Sequence, residues 1–171
     1  LNTQKEHELI ITDEKVITPG ASLMQKDRNT NKIYVAYNSP KIPGKTYIYD
    51  ILTKEKKLVK EEIIPSGHNS DDYIVERVNC DSHDGKKIPL TITRHKKTKL
   101  DGSANLLLYA YGSYGTSMGP GFSSSRFSLI NRNIIWVTAH IRGGMERGMS
   151  WWKEGKMLNK KNTFKDYISS A

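Results

Sequence analysis

The stretch Asn105 to Gly115, Asn-Leu-Leu-Leu-Tyr-Ala-Tyr-Gly-Ser-Tyr-Gly, constrains the fold more than any other part of this sequence. Leu106, Leu107 and Leu108 form an apolar run with turn signals on both sides, too short for a helix, and the pattern predicts a strand covered on both faces. Gly112 and Gly115 permit backbone angles that other residues resist, which leaves Tyr109, Tyr111 and Tyr114 clustered at the strand's carboxyl end. Open α/β sheets bind their ligands at such ends. The segment therefore reads as one wall of an active site.

Two regions of different texture flank a short transition. Residues 1–62 read as all-β, with strand candidates at Glu8 to Thr12, Lys32 to Tyr37 and Lys45 to Ile51 separated by Asp, Asn, Pro and Gly. Thr46 to Asp50, a turn over Leu52 to Lys56 and a strand over Lys57 to Val59 match the usual close of a propeller blade. A blade cannot bury its own faces, so a neighbouring blade is expected. Residues 63–72, with Pro65, Ser66, Gly67, Asn69 and Ser70, read as a linker. Residues 73–171 change pattern: strands at Tyr73 to Asn79 and Lys87 to His95 are joined by Asp84-Gly85, a strong hairpin signal. Further strands are expected at Asn105 to Tyr111 and Asn133 to His140, and a helix begins near Thr163. That helix runs to Ala171 without a stop signal, so the chain is expected to halt inside an element. Trp151, Trp152, Phe164 and Tyr167, with the last two at helical spacing, predict packing against the sheet.

Composition removes several function classes. The chain has 171 residues, 36% of them hydrophobic, and its apolar runs fall far short of the roughly 20 residues a spanning helix needs. No membrane association is expected. Leu1 to His7 lacks a secretory pattern, and a first residue other than Met hints at a piece of a longer protein. Cys80 is the single cysteine, which excludes an internal disulfide and points to a cytoplasmic setting. A net charge of +9 raises nucleic-acid binding, but Lys54 to Lys57, Lys86-Lys87, Lys96-Lys97 and Lys160-Lys161 are scattered among acids and turns without interleaved aromatics. They read as solvated surface, and no nucleic-acid partner is expected. Cys80, His83 and His95 do not supply four ligands at a recognisable zinc spacing, so no metal or cofactor is expected.

Several segments, in order, carry a resemblance. Tyr37 to Asp50 is similar to final propeller strands, and Ser82-His-Asp-Gly-Lys-Lys-Ile-Pro89 to a catalytic-domain opening hairpin. Tyr109-Ala-Tyr-Gly-Ser-Tyr-Gly115 and Ile141-Arg-Gly-Gly-Met-Glu146 resemble Tyr-Gly-Tyr-Gly-Ser-Tyr-Gly and Ile-Arg-Gly-Gly-Gly-Glu signatures, and Lys161 to Tyr167 a helix upstream of a nucleophile. From about residue 37 to 171 the chain thus resembles the oligopeptidase B branch of the prolyl oligopeptidase family of serine peptidases. The resemblance implies a mixed fold, the end of a β-propeller over residues 1–62 followed by the first half of an α/β-hydrolase domain over residues 73–171. It implies cleavage of short basic peptides after Lys or Arg by a Ser, Asp and His triad. In this family all three lie beyond the position of residue 171, so no activity is expected of the chain alone.

The resemblance assigns Tyr111 as a side-chain donor to the oxyanion, the role of the loop after the third strand in α/β-hydrolases. Without it, Tyr111 reads equally as a core tyrosine with a buried hydroxyl partner. Gly115-Thr-Ser-Met-Gly119 matches a nucleophile elbow literally, but Gly119-Pro120-Gly121 follows Ser117 where the elbow needs a helix. His140 also precedes Asp166, the wrong order for a hydrolase triad. Ser117 is expected to be a loop serine. Two departures limit the transfer: Gly119-Pro120-Gly121 stands where relatives carry acids for a basic-side-chain subsite, and Met145 replaces a glycine whose backbone angles it could not adopt cheaply. Arg142 and Glu146 read as loop-anchoring charges. Two functions stay open: an oligopeptidase segment, with or without a second chain that brings the triad, and a non-catalytic binding or scaffolding remnant. An isolated chain is expected to expose the apolar edge of the Leu106 strand and to fold poorly.

Overall fold

The structure, a computed structural model, describes residues 14–23 and 29–171. The strand expected over Glu8 to Thr12 lies outside them. Four strands, β1 (Thr18–Leu23), β2 (Lys32–Asn38), β3 (Lys45–Asp50) and β4 (Lys56–Glu61), form an antiparallel meander in the order β1-β2-β3-β4. This is the construction of one propeller blade. The sequence pattern missed β1 because Pro19 and Gly20 interrupt it. An edge strand tolerates both, since one side of its backbone needs no partner. All of β4 is exposed, including Leu58 and Val59, an apolar surface of the kind a neighbouring blade covers.

The second sheet has the order β5-β6-β8-β7, built from β5 (Tyr73–Asp81), β6 (Lys87–His95), β7 (Leu106–Tyr109) and β8 (Ile135–Ala139). β5 and β6 form the expected hairpin, closed by Gly85 at φ +77 and by Ser82 N–H donating to Lys86 O at 2.7 Å. β7 runs parallel to β8, and such a pair requires a crossover. The helix α1 (Ser124–Ile130) supplies it. Sequence reasoning left α1 unassigned; its start is a run of serines. Its stabilisation is tertiary: Phe127 and fully buried Ile130 pack with Tyr73, Phe122 and Trp136.

The main core lies between β6, β8 and the segment after β8, where Ile88, Leu90, Val137, Ala139, Ile141 and Trp151 cluster. Each such side chain contributes about 1.5 to 3 kcal/mol on burial. Trp151 belongs to the short helix α2 (Met149–Lys153) and donates its indole N–H to His140 O at 2.9 Å.

Two expectations need correction. β7 lies at the edge of the sheet, as expected of the Leu106 strand, but it is not covered on both faces: Leu106 is 53% exposed and Leu107 and Leu108 are half-buried. The other concerns the final helix, α3 (Lys161–Ser169), whose buried residues are Thr163 and Asp166 rather than Phe164 and Tyr167. Hydrogen bonding, not apolar area, sets the docked face. Phe164 is exposed, and Tyr167 reaches the sheet through its hydroxyl, which donates to Leu108 O at 3.1 Å.

The transition between the sheets is anchored. His68 stacks on Tyr73 at 4.9 Å and approaches Lys41 O at 2.7 Å, while Phe122 N–H donates to Asn38 Oδ1 at 3.2 Å. Among the described residues, no helix is long and apolar enough to cross a membrane.

Candidate active site

Beyond β7 the chain makes a turn at the open end of the sheet. Gly112 (φ +63), Tyr114 (φ 55) and Gly115 (φ 69) all have left-handed backbone. Gly112 has no room for a side chain: a Cβ there would stand 2.6 Å from Thr163 Cγ2 and 2.9 Å from Arg142 O. A Cβ on Gly143 would stand 2.0 Å from Gly112 O. The Tyr111 turn and the Arg142-Gly143 turn are thus interlocked backbone to backbone, and Gly115 N–H donates to Gly143 O at 2.9 Å.

The three tyrosines separate. Tyr109 lies against Trp136 at 6.1 Å between ring centroids, and Tyr114 is 88% exposed. Tyr111 is 45% exposed, and among the described residues its hydroxyl has no hydrogen-bond partner. Tyr111 thus stands on a locked turn with its hydroxyl free, without the core partner that a structural tyrosine would hold.

The lock is electrostatic underneath. Arg142, with a side chain 1% exposed, donates from Nε and Nη2 to the two oxygens of Asp166 at 2.8 and 2.6 Å. It also donates to both oxygens of Asp84, at 2.6 Å from Nη1 and 3.2 Å from Nη2, and to Ser82 Oγ at 3.1 Å. Its own N–H donates to Asp166 Oδ2 at 3.0 Å. Its hydrogen bonds to the Asp166 carboxylate dominate and hold the guanidinium charged despite burial. Thr163 Oγ1 completes the joint by donating to Arg142 O at 2.7 Å and Gly155 O at 3.0 Å. One cation thereby joins α3, the hairpin turn and the loop after β8. This is anchoring chemistry, as the sequence suggested for Arg142.

Glu146 sits beside His140, its Oε1 3.6 Å from Nδ1, and accepts Met118 N–H at 2.9 Å. Burial opposes its ionisation, but the His140 ring and the Met118 N–H outweigh burial and hold its carboxyl below the ordinary value. Met145 lies outside the left-handed region, which Gly143 (φ +99) and Gly148 (φ +85) occupy instead. The substitution of the third glycine therefore carries no backbone strain.

No hydrolase triad forms among the described residues. Ser117 is exposed in irregular backbone, with neither a strand directly before it nor a helix directly after it. His140 Nε2 faces Arg77 Nη1 at 2.9 Å and Thr91 Oγ1 at 2.8 Å; since a guanidinium can only donate, the nitrogen is already used as an acceptor. Ser82 Oγ lies 3.0 Å from His83 Nδ1 and donates to Asp166 Oδ1 at 2.5 Å. There the acid holds the serine rather than the histidine, and Arg142 occupies the hydroxyl's acceptor side. Neither cluster activates a nucleophile.

Sequence reasoning missed Lys160, dismissed with Lys161 as solvated surface. Its ammonium donates to Gly112 O at 2.6 Å and Ser113 Oγ at 2.7 Å, and burial lowers its pKa. Sequence spacing holds no signal for this, since 48 residues separate donor and acceptor. A cavity of about 440 Å³ opens beside the turn, lined by Ser113, Tyr114, Trp152, Lys156 and Lys160 among others.

The Asp84 contact predicts a pH dependence. The Arg142 hydrogen bond, more than any other cause, lowers the Asp84 carboxyl from 3.8 to about 2. A carboxyl depressed on folding adds stability above its unfolded value and loses it as pH falls through the folded one. The urea midpoint of the protein should exceed that of Asp84→Asn at pH 5, with the gap closing between pH of about 4 and 2. A gap that stays constant across that window would contradict the assignment.

The matches to known proteins fit this geometry. Residues 120–171 match the model of the prolyl oligopeptidase family. The chain is 41% identical over 157 residues to dipeptidyl aminopeptidase BI of Pseudoxanthomonas mexicana, covering 91% of this chain and 21% of that protein. It is 34% identical to protease 2 of Moraxella lacunata, covering 97% of this chain and 24% of that protein. Among solved structures it superimposes on oligopeptidase B from Trypanosoma brucei with covalently bound antipain with a TM-score of 0.83 at 33% identity, covering 94% of this chain and 23% of that one. The chain spans between a fifth and a quarter of the length of these relatives. The blade, the interlocked glycine turns and these likenesses together identify the chain as a member of the prolyl oligopeptidase family, joining the end of a β-propeller to the first half of an α/β-hydrolase domain.

Proposed function

We propose that these residues form the oxyanion-side wall of a serine peptidase, with Tyr111 as one hydrogen-bond donor and the Ser, Asp and His of the triad supplied from outside the 171 residues. The observation that carries this reading is the free, half-exposed Tyr111 hydroxyl on a turn locked from below. When a serine oxygen adds to the peptide carbonyl, the carbonyl oxygen gains negative charge, and a fixed donor stabilises that charge more than it stabilises the substrate. The amine leaves with a proton, and water then releases the acyl group. On this reading residues 1–62 cap the site, residues 63–72 link the domains and residues 73–171 carry the wall.

Cleavage of short peptides after Lys or Arg is supported by the likeness to protease 2 and oligopeptidase B. The higher identity to dipeptidyl aminopeptidase BI favours a second reading, the release of dipeptides from free amino ends. Matched fluorogenic substrates, one blocked with Arg before the leaving group and one an unblocked dipeptide, separate the two. The single cysteine supports a cytoplasmic setting.

A fluorophosphonate probe, which labels activated serines, tests the location of the nucleophile. The 171-residue chain should remain unlabelled, Ser117 and Ser82 included, whereas a polypeptide that adds the triad should take one label outside residues 1–171. Stoichiometric labelling of a serine within these residues would overturn the proposal.

A further inference from the structure

We infer that Lys160 is a positioning residue for the reaction: by holding the Gly112–Ser113 peptide unit, one residue beyond Tyr111, its ammonium fixes the turn from which the Tyr111 hydroxyl projects. The inference rests on the reading of Tyr111 as an oxyanion donor. Gly112 O and Ser113 Oγ, its two acceptors at 2.6 and 2.7 Å, belong to the two residues after Tyr111. Charge-assisted hydrogen bonds of this length are about twice as strong as neutral ones. Among the described residues no carboxylate pairs with Lys160, so these neutral acceptors are what the ammonium is spent on.

The position of Lys160 in the chain argues against a purely local role. It follows the 3-10 turn Met157–Asn159 and occupies the N-cap position of α3, a helix of nine residues, where its side chain makes no capping hydrogen bond. A cation at a helix amino end is unfavourable to the helix dipole, and partial burial adds a further cost. Helix stability alone would place an acid or a hydroxyl there. The contact to Gly112 and Ser113 is the compensating gain.

The turn also needs an external hold. Gly112 at φ +63 carries no side chain that could fix its own peptide planes, and Tyr111 stands between it and the last residue of β7. Glycine contacts with Thr163, Ile141 and Arg142 limit the turn from one side through shape. Lys160 adds the directional contact that fixes the peptide plane. A misplacement of about 1 Å in a reacting group costs up to about 100-fold in rate.

The test is a double-mutant cycle in the full-length enzyme, read as kcat and KM separately. Lys160→Met should lower kcat by about 10- to 100-fold and change KM by less than about 3-fold. Lys160→Arg, which keeps two charged donors, should restore most of the rate. In a Tyr111→Phe background, Lys160→Met should add less than about 3-fold, because the hydroxyl it orients is gone. If Lys160→Met fails to fold, Ser113→Ala removes one acceptor at a partly exposed site and should show the same loss of effect in the Tyr111→Phe background. Multiplicative losses in either cycle, or unchanged kcat in the singles while Tyr111→Phe is slow, would overturn the role of Lys160. An unchanged rate in Tyr111→Phe itself would instead remove the reading beneath it.

Discussion

Tyr111→Phe in the full-length enzyme is expected to lower kcat by about 100- to 1,000-fold, the usual consequence of removing one oxyanion donor, or about 2.7 to 4 kcal/mol of transition-state stabilisation. KM should change little, because the ground-state carbonyl needs the donor far less than the tetrahedral oxyanion does. The ring itself should stay in place. Its hydroxyl has no partner among the described residues, so its removal leaves no buried group unsatisfied, and the unfolding free energy should stay within about 0.5 kcal/mol of the parent. This combination separates a catalytic tyrosine from a structural one: a core tyrosine would lose stability and retain turnover. An unchanged kcat would remove Tyr111 from the chemistry.

The second large effect is on stability. Asp166→Ala should cost about 3 to 5 kcal/mol, since it strips the buried Arg142 guanidinium of its main counter-charge and leaves a cation in a low-dielectric site. Asp166 is fully buried and accepts from Arg142 N–H, Nε and Nη2 as well as from Ser82, so its loss orphans several donors together. The cost is one of breaking the pair, not of lacking it. Arg142→Met combined with Asp166→Leu should therefore recover a large part of the loss, as desolvation of both charges is avoided. Urea unfolding of the catalytic domain reads both. A loss below about 1 kcal/mol in Asp166→Ala, the level of a surface ion pair, would show that the network is not the joint described here.

Much of this architecture was legible in the sequence because local chemistry agreed with the final fold. Lys87 to His95 is a strand by alternation, and Asp84-Gly85 is a hairpin turn by backbone geometry; both stand where expected. The elements that escaped depend on distant partners. β1 contains Pro19-Gly20 and is held by pairing with β2, and α1 has an ordinary serine-rich start that becomes a helix because Phe127 and Ile130 find Tyr73. The amphipathic reading of α3 failed for a related reason. Its docked face carries Thr163 and Asp166, polar residues whose burial is intelligible only once Arg142 is seen opposite.

The candidate site divides the same way. Tyr111 was marked by the glycine-tyrosine turn and its resemblance, and Arg142 by its place among the glycines. Lys160, Asp84 and Ser82 were not, because their roles come from approaches between segments far apart in the chain. Met145 shows the reverse error, in which a family pattern suggested strain that the backbone does not contain.

On the proposed reading, Tyr111 brings an oxyanion donor to a serine outside residues 1–171. A crystal structure of the full-length enzyme with a peptidyl aldehyde bound as the hemiacetal tests it most directly. The Tyr111 hydroxyl should lie about 2.7 to 3.1 Å from the hemiacetal oxygen, with the covalent bond to a serine outside residues 1–171. A hemiacetal oxygen held by other donors with Tyr111 turned away, or a covalent bond to Ser117 or any other serine of these 171 residues, would contradict it.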